Sequence, residues 1–305
     1  MFGNKILKGV FLVGLGATSY GMLATFVKLA YADVSSQGLH YTPAEVITAQ
    51  FAIGIFFILG VNAFQKRIKG DTVVKASSAD IKKLMLVGTS TGLTSIFYYL
   101  AVKFIPVSIG IVLLMQTVWM GVVLEMFLDK KRPSYIKIVA VLIVLFGTAL
   151  ATNLFKAQFE LDWRGIVLGL LAAASFTTTM FAANKVATSV SSAQRSLYML
   201  LGGVVVVIIF ALSTQDTPFN YDIFYKWGVV IALFGTVIPP MLLNAGFPLT
   251  GIGLGSIVSA LELPVSVMMA YILLDESVVF NQWIGIVLII VAIVIMNVSL
   301  KKNKL

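Results

Sequence analysis

Leu128-Asp129-Lys130-Lys131-Arg132 and Leu274-Asp275-Glu276-Ser277 each close a long apolar run, 146 residues apart. The first tail is basic and the second is acidic. Lys and Arg mark the cytoplasmic connections of membrane helices. If the two tails are the same element of a duplicated unit, that element lies inside in one copy and outside in the other. Only a unit with an odd number of spans inserts its second copy upside down. The pair therefore predicts an all-α integral membrane protein built as two inverted repeats.

Composition agrees. Of the 305 residues, 59% are hydrophobic and 11% charged, and the mean hydropathy is +0.99. A soluble domain carries about 25% charged residues. Soluble enzyme, disordered tail and disulfide scaffold are excluded. There is no Cys, so disulfides, thiolate nucleophiles and Cys-ligated metals are excluded too. A net charge of +9 would suit nucleic acid, but the hydropathy argues against it.

A helix needs about 20 apolar residues to cross a bilayer core. Runs of that kind fall near 9–31, 43–64, 83–103, 107–128, 135–153, 164–186, 195–213, 227–247, 252–274 and 281–300. These predict ten transmembrane helices, in repeats of five over 1–154 and 155–305. Ala30-Tyr31-Ala32 could be a signal-peptidase site. The run before it is too long for a signal peptide, so a retained first helix is expected. With the N-terminus inside, 17 of the 22 Lys and Arg fall on the cytoplasmic side, Lys185 and Arg195 among them. Both termini are then cytoplasmic, in the cell (inner) membrane.

At a shift of 146 residues, Ile111-Val112 meets Ile257-Val258, and Val141-Leu142-Ile143 meets Val287-Leu288-Ile289. Inverted repeats are typical of secondary transporters, with the substrate near the midplane between the halves.

The segments Ser259-Ala260-Leu261-Glu262-Leu263-Pro264-Val265, Tyr271-Ile272-Leu273-Leu274-Asp275-Glu276 and Asn281-Gln282-Trp283-Ile284-Gly285 resemble the final helix pair of EamA transporters. These belong to the drug/metabolite transporter superfamily. The resemblance covers essentially the whole chain. It implies a secondary transporter, most often an exporter of amino acids or other small metabolites. Two positions depart from the family's pattern. Gln50-Phe51 stands in span two where the family usually has Arg-Phe, and Val118 stands where span four often has a Pro.

Ionisable residues at membrane depth are costly and functional by default. Glu262 is mid-span, and Gly255, Ser259, Glu262 and Ser266 have the spacing of one helical face. The carboxylate would hold an ammonium group or a proton; the alternative is a protonated Glu bonded to a neighbouring helix. The 146 shift pairs Gln116 with Glu262 across the pseudo-axis. Trp119, one turn on, would stack on substrate or fill space. Thr18, Gly21, Thr25 and Lys28 share a face, with Lys28 a partner for a substrate carboxylate or a snorkelling side chain. Thr91, Thr94, Ser95 and Tyr98 in span three, and Ser175, Thr178, Thr179 and Asn184 in span six, line a pathway or glue helices together. Pro239-Pro240 predicts a discontinuous or kinked span eight, with Asn244 beyond it. Those prolines and Pro264 are candidate hinges. Glu125 reads as an interfacial ion-pair residue and His40 as a solvated one.

No phosphate loop, metal cluster or cofactor motif is present in the sequence. The expected partners are a small-molecule substrate, the lipid bilayer and protons. The readings left open are an alternating-access exporter of amino acids or similar metabolites, proton-coupled drug efflux or an uptake permease, and, remotely, an intramembrane enzyme.

Overall fold

The computed structural model describes residues 2–70, 74–101, 103–105, 107–130, 132–154, 162–275 and 277–302. Lys131, Lys156, Glu160, Glu276 and Lys304, used in the charge reading, lie outside the described residues. The regular elements are helices, with one isolated bridge between Val34 and His40. In order they are α1 (Phe2–Ala32), α2 (Pro43–Lys69), α3 (Ser78–Ala101), α4 (Val107–Leu114), α5 (Thr117–Asp129), α6 (Tyr135–Ala151), α7 (Trp163–Lys185) and α8 (Ser192–Thr214). There follow a π-helical turn (Phe224–Gly228), α9 (Val229–Ala232), a second π-helical turn (Leu233–Val237), α10 (Ile238–Thr250), α11 (Ile252–Ser259), α12 (Glu262–Leu273) and α13 (Phe280–Lys302). Ala30-Tyr31-Ala32 ends α1 as part of the helix.

With α4–α5 taken as one span, α11–α12 as another and Phe224–Thr250 as a third, eight helices among the described residues are long and apolar enough to cross a membrane. Tyr135–Ala151 and Phe280–Met296 are shorter apolar helices. Their starts are chemically marked. Thr42, Ser134, Asp162 and Ser191 each cap a helix by accepting a backbone N–H on the side-chain oxygen, which relieves the unpaired first-turn donors.

Spans four and nine are not continuous. Each tightens mid-way into three-residue hydrogen bonds: Gln116 N to Leu113 O and Val118 N to Met115 O in one, Leu261 N to Val258 O and Leu263 N to Ala260 O in the other. These equivalent breaks fix the repeat register. The starts Val107, Thr117 and Tyr135 recur at Ile252, Glu262 and Phe280, each 145 residues on. Lys130 and Asp275, both left-handed non-glycine residues, also lie 145 apart. The 146-residue shift is therefore off by one, because Ile, Val and Leu recur often enough to align in neighbouring registers. One residue turns a helix face by about 100°. Thr117, not Gln116, occupies the place of Glu262, and Trp119, not Val118, that of Pro264. Span four breaks as span nine does without a proline.

Span eight, expected to be discontinuous or kinked, runs from Phe224 to Thr250 without a gap but with two π-helical turns. Pro239 and Pro240 have no N–H to give to the carbonyls four residues back. The turn before them widens instead, with Ile238 N bonding Leu233 O in π geometry. The Ser19 hydroxyl donates to the Phe234 carbonyl from α1.

Lipid tails are as apolar as Leu, so close backbone approach rather than hydrophobicity joins membrane helices. The α6–α13 pair crosses antiparallel at Gly147 and Gly285, with Gln282 donating to the Ala151 carbonyl. The α5–α11 pair crosses antiparallel at Gly121 and Ser256. The start of α1 lies beside Leu249 and Thr250, next to the Gly251–Gly253 turn that meets Glu125 and Lys137. That end, where α13 also finishes, is called the terminal end below; the other is the far end.

Two clasps sit at opposite ends of the bundle. At the far end Glu45, fully buried in the first turn of α2, accepts from Thr42 N, Asn220 N, Asn220 Nδ2 and Gln215 Nε2 at 2.7–3.1 Å. At the terminal end Gln194, in the first turn of α8, accepts from Ala76 N and donates to Val74 O. The same position in the two helices thus grips the connection of the opposite half. Thr42→Ala is expected to cost about 1 kcal/mol as a lost cap. Glu45→Ala, which strips four donors of their acceptor, is expected to cost more; melting in detergent checks the order. Beside this clasp, the Trp227 indole and the Val34 amide, donating to Asp33, hold that carboxyl below its ordinary range. This anchor is present at neutral pH and is lost as pH falls through the lowered value.

Candidate functional site

A cavity of about 590 Å³ lies between the halves. At the far end it reaches Lys28 and Tyr31 of α1, Thr152 after α6, and Ser277 and Gln282 at the start of α13. Toward the terminal end it stops at Met180, Ala183, Ser196 and Phe247. Below that floor the bundle is packed, with Val118, Phe247, Leu254, Ile257 and Val258 all buried in one cluster. The large cavity thus occupies one half of the bundle and is floored toward the other.

The mid-span break places Glu262 as the first residue of α12, against the cavity. Gly21 of α1 lies so close that an added methyl group would strike the Glu262 carbonyl. The Glu262 carboxylate makes no hydrogen bond or ion pair among the described residues, and Tyr20 and Tyr98 lie within its electrostatic reach. In the first repeat Thr117 instead turns its hydroxyl into the core, 2.8 Å from that of Thr177. Among the described residues, the pseudo-symmetric site therefore carries one carboxylate.

Aromatic walls flank it. Tyr20 meets Phe176 edge-on at 6.0 Å, and Tyr99 meets both Tyr31 and Tyr98 at 6.1 Å. Of this group the sequence reading singled out Tyr98 alone. Tyr20, Tyr31 and Tyr99 come from two helices that the linear chain does not juxtapose.

Glu262, Tyr98, Asn244, Lys28, Thr25, Gln50, Thr179 and Pro240 all line the cavity, as do Thr91, Thr94 and Ser95. Gln116, Trp119, Ser259, Pro239 and Pro264 do not. Trp119 is 39% exposed on the outer surface, and its indole N–H donates to Gln116 Oε1 at 2.9 Å. Gln116 in turn donates to the Val112 carbonyl at 2.9 Å. The two satisfy each other where the bilayer offers no partner. Gln116→Leu is accordingly expected to leave transport within about twofold of wild type, since a paired lipid-facing side chain contributes little. Ser259 loses the face it was expected to share because the break overwinds the turn; its hydroxyl donates to the Gly255 carbonyl instead. Ser175 bonds Ser90 O, Asn184 bonds Phe247 O, and Thr178 is exposed. Glu125 pairs with Lys137 and accepts from Gly253 N. His40 is exposed, with Nδ1 3.2 Å from the Asp33 carbonyl.

The polar floor is Asn244 and Ser196, joined at 2.9 Å. Asn244 is buried, and its Oδ1 has no partner. Beneath it lies Arg195, which the charge reading counted on the cytoplasmic side. It is 1% exposed and donates to four backbone carbonyls: Ala182, Ala183, Val186 and Asn244, at 2.6–3.0 Å. Three of these lie at the end of α7, where the dipole is negative; Ala182 also accepts from Val186 N. The fourth is free because Pro248, four residues on, has no N–H. The spacing of Asn244 and Pro248 is the signal that could have shown it.

This arrangement can hold a small cation or a zwitterion at a carboxylate, between aromatic faces and neutral amides. Among the described residues no group of three or more His, Asp or Glu is placed to hold a metal. No curated protein matches the chain. One protein of solved crystal structure superposes with a TM-score of 0.76 at 13% identity, over 96% of each chain, which is a likeness of fold. The model of the EamA-like transporter family matches twice, over residues 7–153 and 163–298. An all-helical bundle with a half-open central cavity, matched by that model in both halves, belongs to the EamA-like transporter family, within the drug/metabolite transporter superfamily.

Proposed function

We propose that this membrane transporter exports amino acids or similar small metabolites by alternating access, without ATP, with both termini in the cytoplasm. The observation that carries the reading is the Glu262 carboxylate, without a hydrogen bond or ion pair among the described residues, in a cavity open toward one end and floored toward the other. A volume near 590 Å³ falls within the range of about 300–1,000 Å³ for small-molecule sites. Glu262 takes the substrate ammonium group. The Gln50 amide, Asn244 Oδ1 and the Thr25 and Thr179 hydroxyls serve its polar atoms, and Lys28 at the rim meets a carboxylate. The basic connections at the terminal end favour a cytoplasmic placement for it. Pro240, on the cavity wall above the π turn, and Pro264 beside the break serve as hinges.

The tyrosine walls favour a second reading, proton-coupled efflux of aromatic cations, which stack on such faces. Counterflow in liposomes tests both. Purified protein preloaded with unlabelled amino acids should accumulate the matching labelled amino acid. Exchange of aromatic cations without amino acids would select the second reading, and no exchange of either would remove both.

A further inference from the structure

A second, smaller cavity of about 180 Å³ lies at the terminal end, lined by Glu125, Asp129, Asn184, Lys185, Pro248 and Gly251 among others. Its wall is shared with the central cavity residue by residue. Ala183 faces the central cavity and Asn184 the smaller one; Phe247 faces the central cavity and Pro248 the smaller one. Consecutive Cα atoms are about 3.8 Å apart. The two spaces are thus separated by a single layer of residues where α7 meets α10.

That layer is tied across. Asn184 Nδ2 donates to the Phe247 carbonyl at 2.6 Å. Arg195 bonds the Ala183 and Asn244 carbonyls, each at 2.6 Å, and so joins the end of α7 to α10. Its acceptors are all backbone oxygens. Such a clamp releases by sliding of the helices, with no acid to protonate. The Asn244 carbonyl is available to it only because Pro248 lacks a donor.

We infer that Ala183-Asn184 and Phe247-Pro248 form the terminal-end gate, that the smaller polar cavity is the next stretch of the substrate path, and that Arg195 is the positioning residue that holds the gate shut. The identity of what passes rests on the function proposed above; the gate itself does not. The smaller cavity is lined by charges of both signs, Glu125 paired with Lys137 and Asp129 paired with Lys185, and so suits the same small zwitterionic solute.

The chain has no Cys, so each variant carries a single thiol. Ala183→Cys and Asn184→Cys would be reconstituted in liposomes of defined orientation. Both would be treated from either side with a membrane-impermeant methanethiosulfonate bearing a trimethylammonium group. The thiol at 183 is expected to label from the far end and that at 184 from the terminal end. Labelling of both from the same side at equal rates would overturn the gate. Pro248→Ala restores an N–H that competes with Arg195 for the Asn244 carbonyl. Combined with Ala183→Cys, it should raise terminal-end labelling about fivefold or more, in keeping with a bond worth about a factor of ten. Unchanged sidedness in that folded variant would remove Arg195 as the clamp. Failure of amino-acid counterflow with sided labelling intact would overturn the substrate class and leave the gate standing.

Discussion

Glu262→Gln lowers amino-acid counterflow on the order of 100-fold while the protein remains folded. Binding of an ammonium group to a carboxylate in a water-poor site is a charge-assisted contact worth about 1.5–3 kcal/mol. Each 1.4 kcal/mol is about tenfold in affinity. Gln keeps the shape and an acceptor but loses the charge. Stability should not suffer, because Glu262 makes no hydrogen bond or ion pair among the described residues and a buried charge is removed. The melting temperature in detergent is expected to hold or rise. Unchanged counterflow would exclude an ionised Glu262 from the mechanism; lost counterflow with lost folding would make the residue a structural one. Gln116→Leu is the matched control, since Gln116 lies off the cavity in the same part of the first repeat.

Gly202→Val removes the folded protein almost entirely. The α3–α8 crossing is built of reciprocal backbone contacts. A side chain on Gly202 would strike the Met85 backbone, and one on Gly88 the Met199 backbone. Gly92 and Gly203 meet the same way one turn further on, 2.5 Å from an added Cβ to the Gly203 carbonyl. A flexible side chain yields to an added methyl group, whereas a helix backbone does not. The helices must separate, and overpacking of this kind costs about 1–3 kcal/mol or more. Membrane helices have little hydrophobic drive to recover the loss. The monodisperse peak in size-exclusion chromatography is expected to disappear. Gly60→Val is the control, because nothing lies within 4 Å of a side chain there, and it should behave as wild type. Survival of Gly202→Val would mean that the crossing is looser than its geometry.

Apolar run length and charge were enough to read the all-helical membrane fold, because the bilayer imposes both directly. The duplication was legible for the same reason, in the two tails at Asp129 and Asp275. Its register was not. A one-residue error was invisible among Ile, Val and Leu but moved the partner of Glu262 from Gln116 to Thr117. The candidate site was legible where a residue is anomalous for its depth, as Glu262, Gln50 and Asn244 are. It was illegible where depth is ordinary and the partner is distant, as for Tyr20, Tyr31 and Tyr99. Trp119 and Gln116 misled because a polar residue in lipid can be satisfied by a neighbour on its own helix. Arg195 misled because a cation near a helix end is most often in water, and here it caps carbonyls instead.

The single carboxylate on the cavity wall also has an electrical consequence. Among the described residues, Glu262 is the acidic residue that lines the central cavity. If the site crosses the membrane field empty and ionised on its return, each cycle moves one negative charge. If it returns carrying a proton, the return is electroneutral. A charge in a membrane potential is worth about 2.3 kcal/mol per 100 mV, enough to change a rate on the order of 50-fold. The voltage dependence of exchange therefore counts protons on this one side chain, and Thr117 in the mirrored position adds nothing to the count.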